Sequence, residues 1–310
     1  MPEGDTVWRV SRQLDEALAG RLLTRSDFRV PRFATTDLAG RVVIEALARG
    51  KHLLIRIDRG VTIHTHLRMD GSWRIWPAGR PPPRDYRVRL VLENAEWQAV
   101  GYLLGVVEVV PTAREAGVVG YLGPDLLGPD WDAAEAVRRL FAAPDRPVGE
   151  ALLDQRNLAG IGNLYKAEVL FLRGINPWQP VGTINDMHSV VELARRLLDA
   201  NKQRASQVTT GNPARGEETW VYGRAGRPCR RCGTPVLADG HADLASRAGH
   251  TGRPNRTGHA GRANRAGRAV WADPANRAGR AGGPGRAGGR TPNVERVTYW
   301  CPACQPERGG

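Results

Sequence analysis

Residues 152–171 read LLDQRNLAGIGNLYKAEVLF. Here the glycine-containing connection 159–162 leads into a predicted helix from Asn163 to about Arg173, with Gly174 as a plausible residue just beyond its end. Apolar side chains cover this helix on nearly every side, which predicts that it is buried. Free N–H groups at a helix N-terminus bind phosphate well, so Asn163 is a candidate phosphate contact. It is equally suited to be an ordinary helix cap, and both interpretations can hold together.

Helical patterns continue on both sides of this stretch. Asp130 is expected to cap a helix over Trp131–Ala142, Pro147–Asn157 predicts a second helix, and Asp186–Lys202 predicts another. Near the N-terminus, Asp5 is expected to cap a helix that reaches about Leu18.

Between about Arg41 and Val110 the pattern changes to short β-rich runs separated by Gly, Pro and Asp turns. The runs are RVVIEAL, HLLIRI, VTIHTHL, SWRIW, RVRLVL, EWQAV and GVVEVV. Closely spaced strands of this kind predict a sandwich or a barrel.

The chain has four cysteines, in two C-x2-C pairs: Cys229, Cys232, Cys301 and Cys304. Two such pairs suit tetrahedral, structural zinc, with redox dithiols or disulfides as the alternative. Between the pairs lies an Arg-, Ala- and Gly-rich tract, 240–292, which is expected to be disordered. Because the cost of loop closure grows slowly with length, the metal site can tolerate this insert.

The formal net charge of +13 indicates a polyanionic partner such as nucleic acid. The tract 240–292 alone contains ten Arg and two Asp, so the charge is unevenly distributed. The tract either adds salt-sensitive DNA affinity or is a neutral expansion. No segment has the length of a membrane helix, and the N-terminus has no secretory or transit pattern. We therefore expect a cytosolic protein with no membrane partner. No glycine-rich phosphate fingerprint follows a predicted strand, so no nucleotide cofactor is indicated.

Pro2 would carry a secondary amine once Met1 is removed. An α-amino group has a pKa of about 7.7–8.0, far below that of lysine, so a useful fraction is neutral and nucleophilic. Its attack on a sugar C1′ would give an iminium ion, and the adjacent Glu3 could supply or remove protons. From this dipeptide alone, a processed N-terminus in front of a helix is the simpler interpretation.

The combination of motifs is more specific than any one of them. In chain order, MPEGDT, RGKHLLIR (49–56), HLRMDGSW (66–73), the stretch 152–171, VYGR (221–224) and the four-cysteine segment resemble the formamidopyrimidine-DNA glycosylase/endonuclease VIII family. The resemblance covers essentially the whole chain apart from the insert, and the start MPEG is closer to the endonuclease VIII branch.

The resemblance implies an α+β fold with three parts. These are a catalytic N-terminal β-sandwich with flanking helices (1–118), a helix–two-turn–helix domain (119–215), and a zinc-finger hairpin (216–310) interrupted by the insert. It implies a monomeric, bifunctional DNA glycosylase/AP lyase of base excision repair that acts on damaged duplex or single-stranded DNA. Oxidised pyrimidines are the expected lesions, with formamidopyrimidine and oxidised purines as the alternative. A zinc-ribbon protein that binds damaged DNA without catalysis is the alternative from another class.

The resemblance also implies roles at matching positions. Pro2 matches the Schiff-base nucleophile, Glu3 the acid/base that helps to open the deoxyribose, and Lys51 the lysine near the lesion phosphate. Asn163 and Arg296 match residues that contact DNA phosphates. Without the resemblance, Lys51 would be interpreted as an exposed turn lysine and Arg296 as a solvated strand arginine.

Met69 matches the family's intercalating position. An enzyme that extrudes a nucleotide must fill the gap in the base stack, and a flexible apolar side chain suits that task, although a single Met is more often in a core. His64 and His66 point the same way on a strand, but without a third ligand we interpret them as structural. The family commonly has Glu where this chain has Thr6. This difference concerns the efficiency of the elimination steps more than the identity of the nucleophile.

Overall fold

The computed structural model describes residues 2–239 and 297–307. The tract 240–292 and Arg296 lie outside the described residues. Within them, two antiparallel four-stranded sheets have the strand orders β1-β6-β7-β5 and β2-β3-β4-β8. The strands are β1 (Arg25–Phe28), β2 (Val43–Arg49), β3 (His52–Ile57), β4 (Val61–His66), β5 (Ser72–Pro77), β6 (Val88–Glu93), β7 (Trp97–Tyr102) and β8 (Val106–Pro111).

The two sheets share one apolar core, so the sandwich alternative is confirmed. All seven predicted runs form strands. The strand β1 was not predicted, because its sequence RSDF is largely polar and it pairs only at the edge, along β6.

Helix α1 (Gly4–Leu18) buries the apolar side of its surface against the sandwich. It begins one residue earlier than predicted, and Glu3 rather than Asp5 occupies the cap position. The prediction for Asp5 was wrong because this residue is inside the helix, where its buried carboxylate accepts a hydrogen bond from the Tyr165 hydroxyl.

A second core belongs to the helical part of the chain. Four helices contribute to this core: α3 (Ala133–Leu140), α4 (Val148–Leu153), α5 (Asn163–Arg173) and α6 (Met187–Asn201). The short helix α2 (Ala116–Val119) precedes them in the chain. Nine of the eleven residues of α5 are buried and Gly174 ends it in the left-handed conformation, as predicted.

Two further predicted helix boundaries were wrong. The side chain of Asp132, not that of Asp130, caps α3 by accepting a hydrogen bond from the backbone N–H of Glu135. Asp130 instead binds the Arg49 guanidinium. Helix α4 stops at Leu153, well before Asn157, because Asp154 adopts an extended backbone.

The C-terminal part is a hairpin of β9 (Leu237–Asp239) and β10 (Thr298–Trp300) beside the four cysteines. A small core joins it to α5 through Ala167 and Phe171. The α+β class and its three structural parts are therefore confirmed. In the ranges that the structure describes, no helix is both long and apolar enough to cross a membrane.

Candidate active site and nucleic-acid interface

The fully buried carboxylate of Glu3 binds the start of α5. Its two oxygens accept hydrogen bonds from the backbone N–H groups of Gly162, at 2.7 Å, and Leu164, at 2.8 Å. The N-terminus of a helix carries partial positive charge and unsatisfied N–H groups, so it suits a carboxylate. A Cβ atom at position 162 would lie 2.3 Å from the Glu3 carboxyl carbon, which explains the glycine there.

Burial raises the pKa of Glu3, whereas the charge of Lys51 and the hydrogen bond from Leu164 oppose the rise. A carboxyl group with a raised pKa can both donate and accept a proton closer to neutral pH. This is the property that an acid/base residue requires.

The chain on either side of Glu3 is held against the 159–162 connection. The backbone N–H of Gly4 donates to the carbonyl of Gly160 at 2.9 Å. A Cβ atom at Gly4 would lie 2.9 Å from the Cα atom of Gly160, so the two backbones approach as closely as glycines permit. Pro2 is half-buried beside this contact. While Met1 is attached, the Pro2 nitrogen is an amide and not a nucleophile.

Asp5 lies one residue further along, in a hydrogen-bond network that sequence reasoning missed. Its Oδ2 accepts from the Tyr165 hydroxyl at 2.9 Å, and both carboxylate oxygens accept from Gln207 Nε2, at 2.9 and 3.1 Å. Burial, reinforced by the charge of Asp5, raises the pKa of Tyr165, so its hydroxyl remains a donor. Thr6 is half-buried beside Asp5.

Lys51 lies in the two-residue turn between β2 and β3 and is buried. Gly50 occupies the left-handed region there, with φ of +57°, and its N–H donates to Asp125 Oδ2 at 2.6 Å. A Cβ atom at Gly50 would lie 3.0 Å from that of Ala159, so this turn packs on the same connection as Gly4. The interpretation of Lys51 as an exposed turn residue was wrong, and its charge acts on Glu3.

A chain of hydrogen bonds runs across the outer face of the β2-β3-β4-β8 sheet beside Lys51. His64 Nδ1 lies 3.0 Å from Glu108 Oε2, His64 Nε2 lies 2.8 Å from His52 Nδ1, and His52 Nε2 lies 3.0 Å from the Tyr121 hydroxyl. Because a carboxylate only accepts, His64 Nδ1 is the donor to Glu108.

Two histidines of this face, His52 and His66, are neutral at neutral pH. Burial, followed by neighbouring charge, lowers the pKa of His52 to about 4 and that of His66 to about 3. Among the described residues, the group that could hold a metal ion consists of the four cysteines. The structural interpretation of His64 and His66 stays a prediction.

Met69 is 56% exposed in the turn between β4 and β5. The turn is tight, because Arg68 adopts a φ of +56° and the Gly71 N–H donates to the Leu67 carbonyl. The general expectation that a methionine lies in a core does not hold here.

Asn163 is buried at the start of α5, where its Nδ2 donates to the carbonyl of Val297 at 2.8 Å. Its buried Oδ1 makes no hydrogen bond within the described part of the protein. A second contact follows one turn later, where Lys166 Nζ donates to the Thr298 hydroxyl at 2.9 Å. The start of α5 is therefore joined to β10 and to Val297, the residue that follows Arg296.

The four cysteines could hold a metal ion. Their sulfur atoms all lie within 4.8 Å of one another, with 3.9 Å between Cys229 and Cys304 and 3.5 Å between Cys232 and Cys301. Tetrahedral zinc with Zn–S bonds of about 2.3 Å requires sulfur atoms about 3.8 Å apart. The cluster fits such an ion.

Glu168 is a second residue that sequence reasoning missed. It is fully buried in α5, where its carboxylate accepts from the Thr209 hydroxyl and from the three successive backbone N–H groups of residues 220–222. It thereby fixes the VYGR segment to the helix that carries Asn163. The sequence predicted that this helix is buried, but no local pattern identified the partners of Glu168, which lie at least 41 positions further along the chain.

A cavity of about 500 Å³ lies between α1, the Met69 turn and the chain after α6. Its polar lining consists of Thr6, Arg9, Gln13, Ser72 and Gln203. Thr6, Arg9 and Gln13 follow one another along the same side of α1, starting one turn beyond Pro2. The cavity is lined by α1 and by the two residues that begin β5, and Pro2 is not among its lining residues.

Comparisons with known proteins agree with this architecture. The family model for the formamidopyrimidine-DNA glycosylase N-terminal domain matches residues 1–101, and that for the H2TH domain of the same glycosylase matches residues 122–208. The chain is 46% identical to a probable endonuclease 8 2 of Streptomyces coelicolor, with 100% of this chain and 97% of the relative covered. It is 44% identical to the DNA-(apurinic or apyrimidinic site) lyase Nei2 of Mycolicibacterium smegmatis, with 98% and 99% covered.

Among solved structures, the chain is similar to a Lactococcus lactis formamidopyrimidine-DNA glycosylase bound non-covalently to DNA containing an AP site. The TM-score is 0.69 and the identity 21%, with 98% of this chain and 100% of the other covered. At this identity the likeness establishes the fold alone.

Proposed function

The chain belongs to the formamidopyrimidine-DNA glycosylase family and is a DNA-repair glycosylase/AP lyase, and on this premise we propose that Pro2 is its nucleophile once Met1 has been removed. One observation carries the proposal. The residue beside Pro2, Glu3, is a fully buried carboxylate with a raised pKa, fixed by the N-terminus of α5. A proton donor is thereby held next to the amine that would attack.

The reaction that we propose begins when the neutral Pro2 amine attacks C1′ of the damaged nucleotide while Glu3 gives a proton to the ring oxygen, so the bond between C1′ and that oxygen breaks and the deoxyribose opens. The Pro2 nitrogen then gives its proton to the departing base, which leaves with the electrons of its bond to C1′, and an iminium ion forms between Pro2 and C1′. This iminium acidifies the C2′ proton, whose removal expels the 3′ phosphate. A second elimination expels the 5′ phosphate, and hydrolysis of the iminium releases the sugar fragment and Pro2.

The DNA is held, in this proposal, by residues around the 159–162 connection. Lys51 faces the phosphate at the lesion, while Asn163 and Arg296 bind neighbouring phosphates. Support comes from the burial of Lys51 in a turn packed on this connection, and from the hydrogen bond between Asn163 and Val297. Met69 fills the gap left by the extruded nucleotide, a role supported by its exposure.

The cavity beside α1 would receive the extruded base. Its hydroxyl, amide and guanidinium groups suit the carbonyl and hydroxyl groups that oxidation adds to a base. We propose oxidised pyrimidines as the preferred lesions. Formamidopyrimidine and oxidised purines are the alternative, because a cavity of about 500 Å³ admits either ring system. Base release from matched duplexes with thymine glycol, dihydrouracil or 8-oxoguanine decides between them.

We propose zinc as the ion of the four-cysteine cluster. It would cross-link the finger and thus hold Val297 and Thr298 against α5, with no part in the chemistry. We also retain the predicted domain boundaries 1–118, 119–215 and 216–310, and we infer that a monomer acts on damaged DNA in the bacterial cytosol.

Borohydride trapping tests the nucleophile. The protein, shown by mass spectrometry to lack Met1, is mixed with borohydride and DNA that contains an abasic site, and we expect a covalent adduct through Pro2. Pro2→Gly or a retained N-terminal tag should abolish the adduct. If the correctly processed protein forms no adduct, the mechanism is wrong, and a damage-binding protein without catalysis becomes the better interpretation.

A further inference from the structure

The hydrogen-bonded side chains on the outer face of the β2-β3-β4-β8 sheet connect its interior with the surface. They are Glu108, His64, His52 and Tyr121, with 3.0, 2.8 and 3.0 Å between successive polar atoms. We call these four residues the Tyr121 relay. His64 is only 4% exposed, whereas Tyr121 is 48% exposed. Folding accounts for the partners of the buried histidine, but water alone could satisfy the tyrosine hydroxyl at the outer end.

The Tyr121 relay has two complete arrangements of its hydrogen atoms. In both, His64 Nδ1 donates to the ionised carboxylate of Glu108. When His64 is neutral, His52 Nδ1 donates to His64 Nε2, and the Tyr121 hydroxyl donates inwards to His52 Nε2. When His64 holds a second proton, His64 Nε2 donates to His52 Nδ1 and His52 Nε2 donates to the Tyr121 oxygen. The hydroxyl hydrogen of Tyr121 is then free to donate outwards.

His52 stays neutral in both arrangements and only exchanges one tautomer for the other. Burial, followed by the charges of His64 and Arg68, lowers the pKa of His52 to about 4, so the neutral ring is the form present at neutral pH. A proton added at His64 therefore appears at the other end of the relay as a free donor on Tyr121, while His52 gains no charge.

Charged groups of both signs act on the two histidines of the relay. The Glu108 carboxylate on β8 favours a proton at His64, because an opposite charge stabilises the charged form of the ring. Lys51 and Arg68 oppose further positive charge, since both lower the pKa of the adjacent His52. A DNA phosphate that pairs with these two cations would remove their opposition and so favour the protonated arrangement.

Tyr121 lies beside the turn that carries Lys51. His52 directly follows Lys51 in the chain, and the Tyr121 ring meets the His52 ring edge to face, with 6.0 Å between the centroids. The neighbour of Tyr121, Leu122, packs on the same turn, since a Cβ atom at Gly50 would lie 3.6 Å from its Cδ1 atom. The exposed side chain of Tyr121 is therefore close to the lysine that we place at a DNA phosphate.

The turn that carries Met69 also borders the relay. The His66 ring is edge to face with the His52 ring, with 4.9 Å between the centroids, and His66 Nδ1 accepts from the Arg68 N–H at 2.9 Å. Arg68 directly precedes Met69. Burial, followed by the charge of His52, lowers the pKa of His66 to about 3, so His66 stays neutral and contributes no proton of its own.

We propose that the Tyr121 hydroxyl donates to a DNA phosphate beside the one that Lys51 faces, and that His64 takes up one proton from solvent when this contact forms. His52, His64 and Glu108 are positioning residues, because they act through the Tyr121 hydroxyl and not on the phosphate. The inference rests on the proposed placement of DNA at Lys51 and adds to it a contact that depends on pH. Since a proton is taken up, the contribution of Tyr121 is present at low pH and is lost as the pH rises.

Binding measurements at several pH values test the proposal. Fluorescence anisotropy at constant ionic strength gives the Kd of the wild type and of Tyr121→Phe for a duplex with a stable abasic-site analogue, from about pH 5 to about pH 8. Tyr121→Phe should weaken binding about fivefold or more at the acidic end and progressively less as the pH rises. Calorimetry in two buffers of different ionisation enthalpy should show that the wild type takes up more protons on binding than the variant, by up to about one per chain.

Two further variants complete the comparison. Glu108→Gln removes the carboxylate that favours a proton at His64, so it should reduce the pH dependence of Kd to that of Tyr121→Phe although the tyrosine is intact. Tyr86→Phe is the matched control, because it makes the same substitution at a tyrosine that is 87% exposed and outside the relay. It should keep the wild-type Kd at every pH.

Three results would overturn the proposal. A loss in Tyr121→Phe that is the same at every pH would indicate a contact without proton uptake. Wild-type affinity of Tyr121→Phe at every pH would leave the relay as structural hydrogen bonds. The full pH dependence in Glu108→Gln would assign the proton to a group outside the relay.

Borohydride trapping separates this proposal from the proposed chemistry. Trapping of the wild type at concentrations well above its Kd reports on the reaction of Pro2 alone. If the wild type forms no adduct there, the proposed chemistry fails, whereas the comparison of Kd values still decides the role of Tyr121.

Discussion

Glu3 Oε1 lies 2.8 Å from the backbone nitrogen of Leu164, although 161 positions separate the two residues in the chain. The carboxylate next to the proposed nucleophile is therefore fixed by the first turn of a helix that belongs to a different core. Any change that displaces the start of α5 should also displace Glu3, so the proposed DNA contact of Asn163 and the proposed chemistry at Pro2 should be coupled.

Glu3→Gln should reduce base release by about 10²- to 10⁴-fold, the usual effect of losing general acid–base catalysis. The amide has no carboxyl proton to give, and it presents an N–H group to a backbone N–H of α5. The Pro2 amine should still be trapped on an abasic site, whose sugar opens to an aldehyde without loss of a base. Single-turnover base release and borohydride trapping measure the two steps separately.

Glu16→Gln is the control for that variant. Glu16 lies in the same helix, exposed, and pairs only loosely with Arg12 at 3.9 Å. It should leave both steps unchanged. If Glu3→Gln releases bases at the wild-type rate, Glu3 is not the proton donor.

The pH dependence of base release should be bell-shaped. The proposed reaction requires a neutral Pro2 amine, and the neutral fraction of an ordinary α-amino group falls as the pH drops below about 7.7–8.0. It also requires protonated Glu3, whose fraction falls as the pH rises through the raised pKa of that carboxyl. Single-turnover rates across the pH range should therefore lose their alkaline limb, but not their acidic limb, in Glu3→Gln. An alkaline limb that persists in the variant would belong to another group.

Local patterns were sufficient to predict seven of the eight strands of the sandwich, the buried helix α5 and the pairing of the four cysteines in one cluster, because alternation, helical periodicity and C-x2-C spacing are properties of neighbouring residues. They were not sufficient for Asp5, whose partners Tyr165 and Gln207 lie 160 and 202 positions away. Asp5 was taken for a helix cap because its side chain suits one. The same limit applies to Glu168, which serves a segment more than forty positions further along the chain.

Tyr165→Phe should lower the free energy of unfolding by about 1–3 kcal/mol, the usual cost of leaving a buried polar group without its partner. The lost hydroxyl donates to the buried carboxylate of Asp5, which then depends on Gln207. Urea unfolding followed by circular dichroism measures the change. Tyr86→Phe, which alters an exposed ring, should stay within about 0.5 kcal/mol of the wild type. Equal stabilities of the two variants would contradict the role of the Asp5 network.

Removal of the metal should abolish tight DNA binding while the sandwich stays folded. The finger has only a small core of its own, so the ion is expected to supply much of its stability. Elemental analysis should give one zinc per chain, and chelation should weaken binding to abasic DNA by more than about tenfold, reversed when zinc is returned. A chelated protein that binds DNA at full affinity would show that the cluster does not hold the DNA-contacting segment.

Asp125→Asn should loosen the turn that carries Lys51. Asp125 Oδ2 accepts from the Gly50 N–H at 2.6 Å and Oδ1 accepts from the Leu127 N–H at 3.1 Å, so an asparagine must direct its own N–H group at one of these donors. We expect a loss of about 1–3 kcal/mol in unfolding free energy, together with weaker binding to abasic DNA. Asp130→Asn is the matched control, because the half-exposed pair with Arg49 should contribute at most about 1 kcal/mol. Binding that is lost in both variants alike would assign the effect to Arg49 and not to the position of Lys51.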